Sequence, residues 1–357
     1  MKVLFKRFKL LIIILSLIAV TFLSLSIIPT NYDITVPAIV ADIDNSYDFE
    51  GVDTSDVNVS SVSVYSYYKV SVLNYLGALL NPYAIVEKHN EYVNTSNEYN
   101  YTSGTIQKNV SLCNSLIVGY NAANETINAT FNGYIVHSIF GINPTNIKLG
   151  DIIIKCEGME LTEKFTISHA LAETYGTYQG EDGYNYIKII AGQGYNFTVL
   201  RNSEEIDITV YAYNYITETS STPTLGFNYY SSYTVTSEGS SPKFTINAPN
   251  SFGPSAGLMQ SLFIYLSLTG SKVTKDLEIV GTGTIDINGR VGSIGGVKAK
   301  VSAAVLNNAD IFFVPIANYE DAKEQYDKYN TKMKLVPVSS LQDCINYLNG
   351  IDVIAWK

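Results

Sequence analysis

The sequence predicts a mixed α/β (α+β) carboxyl-terminal domain, a mostly β region ahead of it, and a single transmembrane helix at the amino terminus. Three observations carry this expectation. Apolar strands and helices alternate from Phe244 to the end. Between residues 122 and 212 short strands recur with turn residues between them. Lys2, Lys6, Arg7 and Lys9 precede an uncharged run from Leu10 to Ile28.

That run is as long as the roughly 20 residues a bilayer-spanning helix needs, so residues 10–29 are expected in a membrane and residues 1–30 form a cytoplasmic tip and anchor. No Lys or Arg follows until Lys69, which orients a single-pass chain with its amino terminus cytoplasmic and its bulk extracytoplasmic. A cleaved signal peptide is the rival. Ser24-Leu25-Ser26 is a poor cleavage site, and the run exceeds the roughly 7–15 residues of a signal core, which favours a retained anchor.

Residues 31–121 read as an extracytoplasmic spacer, with a strand around Val62 to Tyr67, a helix over Val70 to Leu80 and a loop from Asn90 to Gly104. In the next region, 122–212, strands are expected at Gly133 to Val136 and over Leu149 to Gly158, and a helix at Phe165 to Glu173. A hairpin should then turn at Asn202-Ser203. Residues 213–357 form the last domain, with residues 214–243 giving the link and its first strands. Phe244 to Ala248 should be a strand, Ala256 to Leu268 a helix, Leu277 to Val280 a strand, and 281–291 a hairpin closing near Asn288-Gly289. A helix over Val297 to Asn307, a strand at Ile311 to Val314, a helix at Tyr319 to Tyr329, a strand at Leu335 to Val338 and a capped helix at Leu341 to Leu348 complete it.

Composition narrows function. Among 357 residues, hydrophobic residues make up 46% and the net charge is −10 without a basic patch, which argues against a nucleic-acid partner. Cys113, Cys156 and Cys344 and the three histidines are scattered, so neither a disulfide framework nor a metal site is expected, and no cofactor is implied.

The stretch Gly253-Pro254-Ser255-Ala256-Gly257 joins a strand to a helix and fits G-x-S-x-G, in which small neighbours allow a sharp turn that exposes the serine. A serine hydroxyl needs a base. His89, His137 and His169 all precede Ser255, which excludes the Ser, Asp, His order of an α/β-hydrolase. A buried lysine can serve, since burial lowers its pKa. Lys298 and Lys300 stand in the first turn of the helix at Val297, and periodicity leaves the choice between them open.

These motifs, GPSAG at 253–257 and GTGTIDINGRVGSIGGVKAKVSAAVLNNADIFFVP at 281–315, resemble the proteolytic domain of Lon proteases over residues 222–349. The resemblance implies a Ser-Lys dyad, and its motif places the lysine at Lys300, with Thr282 close by. Energy-dependent Lon proteases carry an ATPase module, whereas no G-x-x-x-x-G-K-[ST] loop occurs here, so ATP-independent proteolysis is expected. Phe252 and Val280 depart from the family, which often has an acidic residue and a threonine there.

The run from Leu149 to Lys155, the helix after it and the hairpin to Val210 resemble a bacterial PDZ domain, which implies a peptide-carboxylate loop at Asn132 to Ile135 followed by a peptide-accepting strand. Anchor, PDZ-like unit and Lon-type domain together resemble the membrane-anchored PDZ and Lon-domain serine proteases of bacteria. Protein or peptide substrates are the expected partners. The alternative function is a surface-anchored PDZ adaptor whose protease-like domain binds without cleaving.

Overall fold

The computed structural model describes residues 2–90, 96–140, 146–180, 182–216, 220–247, 252–271 and 277–350, with side chains from Phe8 onward. Asn250 and Ser251 of the stretch before the serine lie outside them. In chain order the main elements begin with α1 (Lys2–Ile27), β1 (Tyr32–Asp42), β2 (Val59–Tyr67), α2 (Val72–Leu79), β3 (Ile85–Lys88) and α3 (Asn97–Ala122). The middle holds β4 (Ile127–Ile139), β5 (Ile152–Cys156), α4 (Ile167–Tyr175), β6 (Gly194–Arg201), β7 (Glu204–Tyr211) and β8 (Phe227–Ser237). The last part holds α5 (Gly257–Thr269), β9 (Ile279–Gly281), β10 (Thr284–Ile285), β11 (Val291–Gly292), α6 (Val297–Leu306), β12 (Ile311–Pro315), α7 (Tyr319–Tyr326), β13 (Lys334–Val338) and α8 (Leu341–Asn349).

One sheet runs β13-β12-β9-β2-β1-β3. Its centre is parallel, β9 pairing with both β2 and β12, and β12 with β13. Side chains alternate across a strand, so Ile279, Ile311 and Phe313 join Leu258, Leu262 and Ile345 on one face, while Val280, Phe312 and Val314 join Val297, Val301 and Ala304 on the other. The sheet is therefore a layer between α5 and α6, which is what brings a residue from each helix end together.

Residues 31–121 are not the spacer expected but part of the same core as the last domain. They contribute β1, β2 and β3 to this sheet, and α3 packs along α5, burying Leu112 and Leu116. The expected loop from Asn90 to Gly104 is corrected as well: residues 97–104 are the first turns of α3, capped by Ser96, whose hydroxyl accepts from the Tyr99 amide. Residues 91–95 lie outside the described part.

A second, antiparallel sheet runs β7-β6-β5-β4-β8, with α4 capped by Thr166. Asn202 and Ser203, both at positive φ, turn the β6–β7 hairpin as expected. Two expectations fail here. Residues 214–243 do not simply begin the last domain, because β8 pairs with β4 from Phe227 to Ser237. Asn132 to Ile135 is no loop: it lies inside β4, paired with β8 on one side and, at Tyr134 and Ile135, with β5 on the other. The register shift opposite Ser232 and Tyr233 is a bulge, which Gly133 accommodates at φ +131°. Phe8–Ile27 of α1 is exposed, and long and apolar enough to cross a membrane.

Candidate active site

The corner before α5 is fixed by backbone constraints. Gly253 has φ +83°, a left-handed conformation that costs other residues. At Gly257 a Cβ would stand 2.6 Å from Ser111 Oγ and 2.9 Å from Ile285 Cγ2, so only glycine lets α3 and β10 close on the helix start. The Ser255 carbonyl accepts from the Gly283 amide at 2.7 Å and from the Thr282 hydroxyl at 3.1 Å. Together these hold the serine against β9 and the segment that follows it.

Lys300 approaches from α6. It is 3% exposed, and its Nζ donates to Ser255 Oγ at 2.8 Å and to Thr282 Oγ1 at 2.9 Å. Burial lowers its pKa from 10.5 to about 8. A lone pair is therefore available near neutral pH. Lys298 points the other way, donating to Glu324 at 2.6 Å with Asp321 at 3.6 Å, and the Glu324 partner raises its pKa. The two lysines, which periodicity left equivalent, are thus separated by environment: seven of the ten α6 residues are buried, so the buried face reaches Lys300 and leaves Lys298 at the rim.

No histidine hydrogen-bonds Ser255 among the described residues. His89 pairs with Asp33 at 2.8 Å, His137 stacks on Tyr230, and His169 completes the cap of α4. Phe252 is exposed and packs against Tyr101 with ring centroids 5.0 Å apart, and Val280 is buried in the core beside Val301. Both departures from the Lon pattern are therefore packing substitutions that leave the Ser255–Lys300 contact intact.

Sequence reasoning missed the contribution of α3. The Gly253 amide donates to the Gly104 carbonyl at 3.0 Å, Ser111 Oγ to the Pro254 carbonyl at 3.1 Å, and Ser115 Oγ to the Gly257 carbonyl at 3.0 Å. The signal was present as small residues at Gly104, Ser111, Ser115 and Gly119, spaced to share one helix face.

With this geometry in place, comparison with known proteins is decisive for the last part of the chain. Residues 215–349 match the family model of the Lon protease (S16) C-terminal proteolytic domain. The chain carries a Lon-type serine protease domain. Its relatives include Lon protease of Azospirillum brasilense, 34% identical over 122 residues, covering 34% of this chain and 14% of that protein. Lon protease of Brucella suis is 34% identical over 110 residues, covering 31% and 12%. The similarity to Chloroflexus aggregans Lon protease is 34% over 92 residues, covering 26% and 11%. The chain thus spans well under a fifth of the length of these relatives, and α3 and the first sheet strands lie outside the matched region.

Proposed function

We propose that this chain is an ATP-independent, membrane-anchored serine endopeptidase, with Ser255 as nucleophile and Lys300 as general base, acting on extracytoplasmic or membrane-proximal proteins. The observation that carries the reading is the contact between Lys300 Nζ and Ser255 Oγ at 2.8 Å, made by a lysine whose pKa burial brings to about 8. In its neutral form the amine takes the Oγ proton as Oγ attacks the substrate carbonyl carbon. The resulting ammonium then protonates the leaving amine, and the acyl-enzyme is hydrolysed by a water that Lys300 deprotonates. Thr282 orients Nζ through its hydroxyl.

Charge developing on the carbonyl oxygen needs donors. The amides of Ser255 and Ala256 have no acceptor among the described residues, and α5 starts without a side-chain cap. Those two N–H groups are suited to hold the oxyanion. A binding-only domain would gain nothing from a desolvated lysine against a hydroxyl, because burying that charge costs stability. This favours hydrolysis over the adaptor reading.

The middle unit is read as PDZ-like from its order of strands, helix and hairpin. Because β8 covers β4, that edge is closed to an added peptide. The exposed helix Phe8–Ile27, preceded by basic residues, is read as the anchor with the rest of the chain outside. The test is incubation of the full chain in detergent, without nucleotide, with an unfolded protein. Fragments should accumulate with the natural chain and not with Ser255→Ala; equal fragments from both would remove the proposal.

A further inference from the structure

The short helix α2 is apolar around its whole circumference, Asn74 apart, yet none of its residues is buried. No Asp, Glu, Lys or Arg occurs from Val70 to Val86. A helix whose outer face meets water carries polar and charged residues there, as α7 does with Glu320, Asp321, Lys323 and Glu324. On α2 that face holds Leu76 and Leu79, 47% and 57% exposed, with Leu80 just beyond them at 87%. Its other side rests on the sheet, where the Tyr75 ring lies 4.7 Å from that of Tyr32 at the start of β1. Single exposed leucines are ordinary, but a contiguous apolar row marks a surface that is covered.

The place of α2 in the fold identifies the cover. The Val72 amide donates to the Ile28 carbonyl at 2.9 Å, the Thr30 amide donates to the Val70 carbonyl at 2.8 Å, and Pro29 forms a β-bridge with Ser71. The start of α2 is thereby clamped to the end of α1. The apolar part of α1, Phe8–Ile27, has 20 residues, which at 1.5 Å per residue is about 30 Å, the thickness of the hydrocarbon core of a bilayer. Ile28 then stands where acyl chains give way to headgroups. From Val72 to Leu79 the helix rises only about 11 Å, so α2 stays near that boundary whichever way it points. Tyr32, Tyr67 and Tyr68, exposed at the same end of the sheet, are of the residue type that gathers at this depth.

We infer that α2 lies in the interfacial layer of the bilayer, with Leu76, Leu79 and Leu80 against the outer ends of the acyl chains. This rests on the reading of α1 as a membrane anchor and adds a second contact beside it. The consequence reaches the active site through the sheet. β1 follows α1 directly and pairs with β2, which pairs with β9 beside the Ser255–Lys300 contact. Held at both α1 and α2, the protease unit is docked at a fixed height on the membrane and does not swing from a tether. Its substrates are accordingly chain segments close to the lipid surface.

The test is tryptophan fluorescence of the full chain reconstituted in phosphatidylcholine vesicles, with and without lipid brominated along its acyl chains, which quenches only a tryptophan that touches it. The chain's one tryptophan is first removed by Trp356→Phe. Single probes are then introduced by Leu76→Trp and Leu79→Trp in α2, by Leu17→Trp in α1 and by Leu306→Trp at the end of α6; all four sites are exposed, so the core is untouched. Leu306 precedes β12, which starts level with Asp42 at the far end of β1, about 30 Å from α1 at roughly 3.3 Å per residue. Emission from positions 17, 76 and 79 should shift to the blue and be lost with brominated lipid, while that from position 306 should do neither. If position 17 is quenched and neither 76 nor 79 is, the anchor reading stands and the docking of α2 is wrong; a blue shift without quenching there means that a second copy of the chain covers the leucines. If position 17 is not quenched, the anchor reading falls and this inference falls with it.

Discussion

Replacing Lys300 by methionine should remove activity and, at pH 7, stabilise the protein. The lysine is held with a pKa of about 8 in the folded chain against 10.5 when free. Between these values the unfolded chain binds more protons than the folded one, so stability rises with pH over that window, and the full penalty is present below about pH 8. At about 1.4 kcal/mol per pH unit the penalty is roughly 3 kcal/mol. Methionine fills a similar volume without the charge, but it leaves Ser255 Oγ and Thr282 Oγ1 without their hydrogen bonds from Nζ, a loss of about 1 kcal/mol each. The variant should therefore be more stable by about 1 kcal/mol at pH 7, equal near pH 9, and less stable by about 2 kcal/mol above pH 10.5. Urea titrations of both proteins in detergent, followed by circular dichroism at these pH values, give the difference. A variant less stable by the same amount at every pH would refute the claim that Lys300 is buried against its charge.

Other consequences follow from the packing. Gly119→Leu should destabilise the protease unit by more than about 2 kcal/mol in the same titration, because overpacked cores strain and a Cβ there would stand 2.6 Å from Ile264; a neutral result would return α3 to the role of spacer. Gly253→Ala should cost about 1–2 kcal/mol from its left-handed backbone and slow fluorophosphonate labelling of Ser255. Thr282→Val removes the hydroxyl that accepts from Lys300 and donates to the Ser255 carbonyl, and kcat for peptide cleavage should fall at least about tenfold with KM little changed, while Thr282→Ser retains most of it. The rate of the natural chain should rise with pH through about 8 and level above it, as the amine loses its proton.

The last third of the fold was legible because its residues obey local rules. Ile311–Pro315 is a continuous apolar strand, Ser340 caps α8 with Asp343 completing the box, and Gly289 closes the β10–β11 hairpin. The serine was legible from its glycines, whereas the choice of Lys300 over Lys298 came from the motif resemblance and not from periodicity, since both flank the same stripe and it is Glu324 and Asp321 on α7 that draw Lys298 outward. The role of residues 31–121 was misread for a physical reason. The buried face of α3 includes Gly104, Ser111, Ser115 and Gly119, small groups that allow close approach and, at Gly104, Ser111 and Ser115, hydrogen-bond across to α5 and the elbow, and an apolar periodicity passes over such a face. Likewise β2 pairs with β9, with β1 on its other side, a pairing more than 200 residues distant in sequence that no local pattern encodes.

The central claim is that Ser255 and Lys300, and not Lys298, form the hydrolytic pair. It is tested most directly by measuring peptide cleavage at pH 8 for Ser255→Ala, Lys300→Ala and Lys298→Ala beside the natural chain, each in the full chain in detergent. Loss of Lys298 removes only ion pairs to exposed carboxylates, worth less than about 1 kcal/mol of stability. The account predicts no cleavage from the first two and most of the natural rate from the third. An active Lys300→Ala chain, or a dead but folded Lys298→Ala chain, would contradict it.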